Sequence, residues 1–361
     1  MTYGIRVLVA LVLVYILWGS TYAAIEIMLE TIPPLLGTAL RFLVAGLVLC
    51  AVLLPGRGWS RFRMPLAQAR NAALAGLLTL AAARGLISFG QQFVGSGTAA
   101  LLVASVPVWI VLYRAVGGDR ARPAVLVGVA VGFLGITLLC LPTGAGGAVL
   151  PIGIAALLVA AACEAAGTFG TSRLAMPSDP LATVTIQMAT AGVVLVPVAA
   201  AAGEFGHVGA PSLASMLAVL YLAIPGGVLP FACLIWLLRN APVSIASTYA
   251  YVNPAIALLL GWLVLGERLG PIALAGGALV LAAVVLVVRA ENRGAPGPHR
   301  QARSDSGEEL VPPRPARLQA EVANGQWQRL ARRCGTVGHS LFSRARSGNK
   351  TSTVKGDNRV E

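Results

Sequence analysis

The residues with chemistry to offer are few, and most stand inside apolar stretches where a polar group is costly. Glu164, in Cys163-Glu-Ala-Ala-Gly-Thr168, has no charged residue within one helical turn. A carboxylate so placed faces a water-filled cavity, finds a partner on another helix, or stays protonated. It is a candidate for binding substrate or a proton, with a structural hydrogen bond as the alternative. Arg41 and Arg84 also fall inside apolar runs, and Arg84 leads into Gln91-Gln92. An arginine at the centre of a spanning helix costs roughly 2.5 to 3.5 kcal/mol on insertion scales. Each guanidinium either snorkels to the interface or recognises an anionic group.

The remaining candidates are aromatic and amide side chains beside helix breakers. Trp18-Gly-Ser-Thr-Tyr22 interrupts the first apolar run, and Tyr249-Ala-Tyr251-Val-Asn253-Pro254 lies within a later one. A proline there removes a backbone donor and clashes with the carbonyl one turn back, which predicts a bent or opened helix around Pro254. Open backbone at membrane depth must face protein or a water-filled cavity, which makes Tyr249, Tyr251, Asn253 and Pro254 candidates for a cavity wall. A weaker copy comes earlier: Gly97 to Pro107 and Trp109, then Gly118-Asp119-Arg120 where the later copy has Gly266-Glu267-Arg268. Two copies predict a duplicated fold with hinges near Pro107 and Pro254.

The elements that must position these residues follow from composition. Of 361 residues, 57% are hydrophobic and 11% charged, and the mean hydropathy is +0.79, which excludes an ordinary soluble domain. A span needs roughly 20 apolar residues. Ten such segments follow one another at about 5–25, 35–54, 69–89, 98–116, 124–141, 149–170, 182–202, 213–238, 243–265 and 272–288. The expectation is an all-α integral membrane protein of ten transmembrane helices. Gly128, Gly132 and Gly135 read as close-packing positions.

The formal charge of +13 could suggest nucleic acid, but the basic residues sit in short loops and the tail, with no aromatic-and-basic groove sequence. They orient the chain instead. With the amino terminus inside, the cytoplasmic side receives Arg57, Arg61, Arg63, Arg70, Arg120, Arg173 and Arg239 among others, whereas the outer loops carry only Arg268. Pro107 and Pro254 then approach the midplane from opposite faces, as in an inverted repeat. The expected domains are two five-helix repeats, 1–141 and 148–289, and a basic cytoplasmic tail, 290–361, too polar to bury a core and so disordered.

Cys50, Cys140, Cys163 and Cys233 sit singly in apolar segments and Cys334 lies in the tail, with neither metal-ligand nor disulfide spacing. No metallohydrolase, nucleophile-elbow or phosphate-loop motif is present, so neither a cofactor nor a metal is expected.

Trp18-Gly-Ser-Thr-Tyr22, Ala39-Leu-Arg-Phe-Leu-Val-Ala-Gly46, Ser96-Gly-Thr-Ala-Ala-Leu-Leu102 and Tyr249-Ala-Tyr-Val-Asn-Pro254 through Gly266-Glu267, in that order, resemble the EamA-type members of the drug/metabolite transporter superfamily. The resemblance covers about Leu8 to Val288. It implies an inner-membrane permease of ten helices, two inverted five-helix repeats around a central cavity, moving small metabolites or amphipathic compounds, often outwards. Carried over position by position, it places Trp18, Tyr22, Tyr249 and Asn253 in the cavity wall. Two positions depart from the family pattern: Asp119 replaces a glutamate, and Glu164 stands where many relatives have an apolar or aromatic residue.

The function expected is secondary transport of a small organic metabolite or an amphipathic compound such as an amino acid, by alternating access, energised by a proton gradient or by exchange. The expected partners are the small-molecule substrate, the lipid bilayer and protons, with homo-oligomerisation left open. Trp18, Tyr22, Arg41, Arg84, Gln91, Glu164, Tyr249, Asn253 and Pro254 form the candidate substrate set. An integral-membrane enzyme acting on lipid and a non-transporting receptor or scaffold are the competing classes.

Overall fold

The structure, a computed structural model, describes residues 3–118, 123–139, 141, 150–267 and 270–292. Asp119, Arg120, Arg268, Cys140, Cys334, the connector at 142–147 and almost all of the expected tail lie outside the described residues.

Backbone polar groups have no water to bond in a bilayer core, so an apolar chain satisfies them internally by coiling. The described residues accordingly form helices and no strand. In chain order these are α1 Tyr3–Gly19, α2 Thr21–Leu29, α3 Pro34–Arg57, α4 Leu66–Gly76, α5 Ala83–Gly90, α6 Ser96–Val103, α7 Val106–Val116, α8 Pro123–Leu139, α9 Pro151–Arg173, α10 Pro180–Ala201, α11 Leu213–Ala223, α12 Leu229–Asn240, α13 Val243–Ala246, α14 Tyr249–Leu265 and α15 Pro271–Asn292. Proline opens α3, α8, α9, α10 and α15, where its missing N–H costs nothing and its fixed φ suits the first turn.

Seven stretches are long and apolar enough to cross a membrane: Tyr3–Leu29, Pro34–Pro55, Leu66–Gly90, Ser96–Val116, Pro151–Arg173, Pro180–Ala201 and Leu213–Asn240. Val125–Leu139, Tyr249–Leu265 and Leu274–Arg289 are apolar but shorter. The chain is a multi-pass, all-helical membrane protein. Large apolar side chains such as Leu47, Leu263 and Trp262 cover its outside, which is what a lipid-facing surface requires.

Several of these stretches are interrupted. Ser20 separates α1 from α2, Ala104 and Ser105 separate α6 from α7, and Ser247 and Thr248 separate α13 from α14. Pro107 follows the second break directly, in the first turn of α7. Around Pro254 the helix is continuous. The helix neither ends nor opens there: α14 runs through the buried Pro254, and the interruption lies at Ser247–Thr248. At that interruption Thr248 Oγ1 donates to the carbonyl of Ile245. Two π-helical turns, Leu77–Ala82 and Ile224–Val228, join α4 to α5 and α11 to α12.

The packing links early and late parts of the chain. α8 lies along α15, and α3 along α10. At Gly135 an added Cβ would fall 2.8 Å from the carbonyl oxygen of Gly276, so the close-packing reading of this glycine holds. α6 runs through the middle, with every residue from Ser96 to Val103 buried.

Candidate functional site

The centre of the site is an ion pair between two helices. An Arg84 Nη2 donates to Glu164 Oε1 at 2.7 Å, and each side chain keeps about a quarter of its surface exposed, 27% and 21%. Of the three fates open to Glu164, the structure selects a partner on another helix. Arg84 is the second residue of α5, directly after the π turn Leu77–Ala82. A π turn holds one residue more than an α turn and so rotates whatever follows about the helix axis. That rotation turns Arg84 towards α9.

Tyr22 on α2 and Tyr249 on α14 stand close enough to interact with both charges, and the Tyr22 hydroxyl is within hydrogen-bonding reach of Arg84. The second carboxylate oxygen of Glu164 is buried with no partner. Beside this cluster is an aromatic one. The Trp18 ring meets Phe231 edge-on at 5.2 Å and Tyr249 at 5.1 Å, the geometry that ring quadrupoles favour. Trp18 comes from α1, Phe231 from α12 and Tyr249 from α14, so three helices meet at one indole.

The Trp18–Tyr22 sequence forms the α1/α2 break itself. Ser20 Oγ and Thr21 Oγ1 donate back to the carbonyls of Leu17 and Trp18, at 3.1 and 2.6 Å, and Ser20 is also hydrogen-bonded to the Tyr221 hydroxyl at 2.6 Å. Gly19 lets α1 touch α14: a Cβ there would sit 2.6 Å from Ile256 Cγ2 and 3.1 Å from the Asn253 carbonyl oxygen. Asn253 therefore stands at that crossing, its Oδ1 buried and unpartnered. Its neighbour Pro254 is packed into the protein.

Two candidates occupy different roles. Gln91 is only 2% exposed, and its Nε2 donates to the Tyr22 carbonyl at 2.9 Å and to Glu26 Oε2 at 3.4 Å. It braces α2 rather than facing open space. Arg41 is 6% exposed; its guanidinium lies 4.4 Å above the Phe42 ring, and its Nε has no hydrogen-bond partner.

Sequence reasoning missed the contacts that hold the ends of the bundle together. Glu267 accepts from the backbone amides of Ser96 and Gly97 at 2.6 and 2.9 Å, which closes the first turn of α6. Its carboxylate lies in a hollow where a Cβ on Gly261 would fall 2.6 Å from Oε2. Glu204 does the same for α3, accepting from Leu35 and Leu36 at 3.1 and 2.7 Å. Both use the free N–H groups and positive dipole end of a helix N-terminus. At the opposite end Arg61 Nε approaches Asp179 Oδ2 at 3.2 Å, and Asp179 caps α10 by accepting from Leu181 at 2.9 Å. Gly266-Glu267 was visible as a repeated motif, but nothing in it names a helix start 170 residues away.

A cleft of about 620 Å³ opens at the Glu267 end, lined by Glu30, Thr31, Phe89, Gln92, Glu204 and His207 among others. None of the candidate substrate residues lines it. Among the described residues no three His, Cys, Asp or Glu side chains cluster as a metal site would require, and Cys50, Cys163 and Cys233 are free thiols.

The sequence pattern of the EamA-like transporter family matches the chain twice, over residues 5–141 and 151–289. The chain belongs to this family. An uncharacterized inner membrane transporter, YedA, of Escherichia coli (strain K12) is 39% identical over 279 residues, which cover 77% of this chain and 89% of that protein. A probable terminal-alkyne amino-acid exporter of Streptantibioticus cattleyicolor is 32% identical, over 78% of this chain and 92% of that protein. A crystal structure with a TM-score of 0.56 and 19% identity covers 80% of this chain and 98% of its own, which shows a shared fold. The cluster around Arg84 and Glu164 thus belongs to a membrane transporter of the EamA-like family.

Proposed function

We propose that this EamA-like transporter is a secondary transporter of the inner membrane that moves a small organic metabolite or an amphipathic compound such as an amino acid, outwards, by alternating access. Its ten spans are the seven long helices and the three shorter ones, arranged as two inverted five-helix repeats over 1–141 and 148–289. The arginine-rich end, with Arg61, Arg63 and Arg173, faces the cytoplasm together with both termini. Substrate binds among Trp18, Tyr22, Arg41, Arg84, Glu164, Tyr249 and Asn253, and a proton gradient or exchange supplies the energy.

The observation that carries this reading is where the polar atoms converge. Arg84 and Trp18 precede the 142–149 stretch, Glu164 and Tyr249 follow it, and Arg84 meets Glu164 and Trp18 meets Tyr249 across it. The contacts above and below cross the same divide: Glu267 to Ser96 and Glu204 to Leu35 at one end, Arg61 to Asp179 and Asn71 to the Ala175 carbonyl at the other. Such a site can be exposed to one side at a time by parting one set while the other stays closed. The matching π turns in the third and eighth spans, and the matching breaks in the fourth and ninth, support the repeat.

The test compares metabolites retained by cells with and without the protein, then with Asn253→Ala and Glu164→Gln. A compound that accumulates in the absence of the protein, and again in both variants, but not with the wild type, is the expected result. Unchanged metabolite pools in the deletion would refute the reading.

A further inference from the structure

The interior charge does not balance, and the imbalance points to the substrate. Arg84 has Glu164, but among the described residues Arg41 is in no ion pair. The charged group near enough to act on it is Arg84, another cation, and Tyr22 is near both. The ring of Phe42, 4.4 Å from the guanidinium, attracts the charge without cancelling it. Glu26 turns instead to Gln91, at the Glu267 end of α2. Arg41, Arg84 and Glu164 therefore carry a net charge of about +1 in a low-dielectric interior, where an unpaired ion is the costly state.

We propose that Arg41 is the docking point for the substrate's single anionic group, and that the substrates are organic monocarboxylates with an apolar or aromatic body. This rests on the transport reading above and names what the same site takes. One negative charge neutralises the cluster, whereas a phosphate dianion overshoots it. The planar guanidinium, with its Nε still unpartnered, matches a carboxylate in a two-pronged geometry. The apolar body lies against the indole of Trp18 and the rings of Phe231 and Tyr249.

The experiment uses the full chain purified in detergent and four probes with one aromatic body: phenylacetate, phenylacetamide, phenethylamine and phenyl phosphate. Equilibrium binding and thermal unfolding are followed for the wild type, Arg41→Gln and Arg41→Lys. Phenylacetate should bind about tenfold more tightly than the amide, the amine and the phosphate, Arg41→Gln should abolish the preference, and Arg41→Lys should keep part of it. Without probe, Arg41→Gln should unfold at or above the wild-type temperature, because it removes an unpaired charge. A lower unfolding temperature, no binding, a preference unchanged in Arg41→Gln, or tighter binding of the amine or phosphate would each overturn the proposal. The two readings fail separately. If cells lacking the protein retain only cations or neutral compounds, transport stands and the anionic subsite falls. If phenylacetate binds through Arg41 while no metabolite pool changes, the subsite stands and transport falls.

Discussion

Arg84 and Glu164 define what a single substitution does in this interior. Glu164→Gln removes the negative partner and leaves a mostly buried guanidinium uncompensated, with a second cation, Arg41, nearby. That should cost about 1 to 3 kcal/mol of stability, which thermal unfolding in detergent would read. Replacing both residues, Arg84→Gln with Glu164→Gln, should restore part of the loss, since neither charge is then stranded. A double variant whose loss equals the sum of the single ones would show that the pair does not interact. The sequence made Glu164 conspicuous, because a lone carboxylate in an apolar run must have a reason. It did not reveal Arg84 as the partner: the two are 80 residues apart, and the π turn at Leu77–Ala82 decides which way Arg84 faces. No periodicity rule drawn for a regular helix predicts that rotation. Phe231 escaped notice for the same kind of reason, as one aromatic residue in a span is unremarkable until three helices converge on Trp18.

At the scale of elements, the helix starts tie distant parts of the chain together. Glu267 closes the first turn of α6 with two charge-assisted bonds, and the hollow around it admits nothing larger than glycine at Gly261. Glu267→Ala should weaken that end by about 1 to 2 kcal/mol, and amide exchange at Ser96 and Gly97 should quicken more than at the Asp179 cap of α10. Equal exchange at both sites in wild type and variant would remove the cap from the account. The α1–α14 crossing makes a sharper demand. Gly19→Leu forces a side chain into Ile256 and the Asn253 backbone and should cost about 1 to 3 kcal/mol. Its transport activity should fall even where the protein still inserts, which a surface-quantified export assay would separate. Pro254 shows the limit of sequence reasoning here. Its chemistry predicts disturbance of the helix, and the interruption that the structure shows lies at Ser247–Thr248, where the Thr248 hydroxyl donates to the Ile245 carbonyl.

For the whole molecule, the helical class and the membrane setting were legible because a bilayer leaves an apolar chain so few solutions: runs of roughly 20 apolar residues declare themselves. Arg61, Arg63 and Arg70 at one end and Glu30, Glu204 and Glu267 at the other give the two faces opposite character. A reporter fused in the 58–65 loop should remain cytoplasmic, and one in the 202–212 loop should be exported. The pairing of the two parts of the chain was much less legible, since it rests on contacts such as Glu204 with Leu35 and Arg61 with Asp179 that no local pattern encodes. The central claim is that one internal site, shared by both parts, opens to each side of the membrane in turn. The direct measurement places a cysteine at Asn253 in a background with the natural cysteines replaced, and labels it with a membrane-impermeant thiol reagent in right-side-out and inside-out vesicles. The account predicts labelling from both sides, with labelling from the outer side lost when residues 96 and 267 are joined by an engineered disulfide. Labelling from one side alone, unaffected by that cross-link, would contradict it.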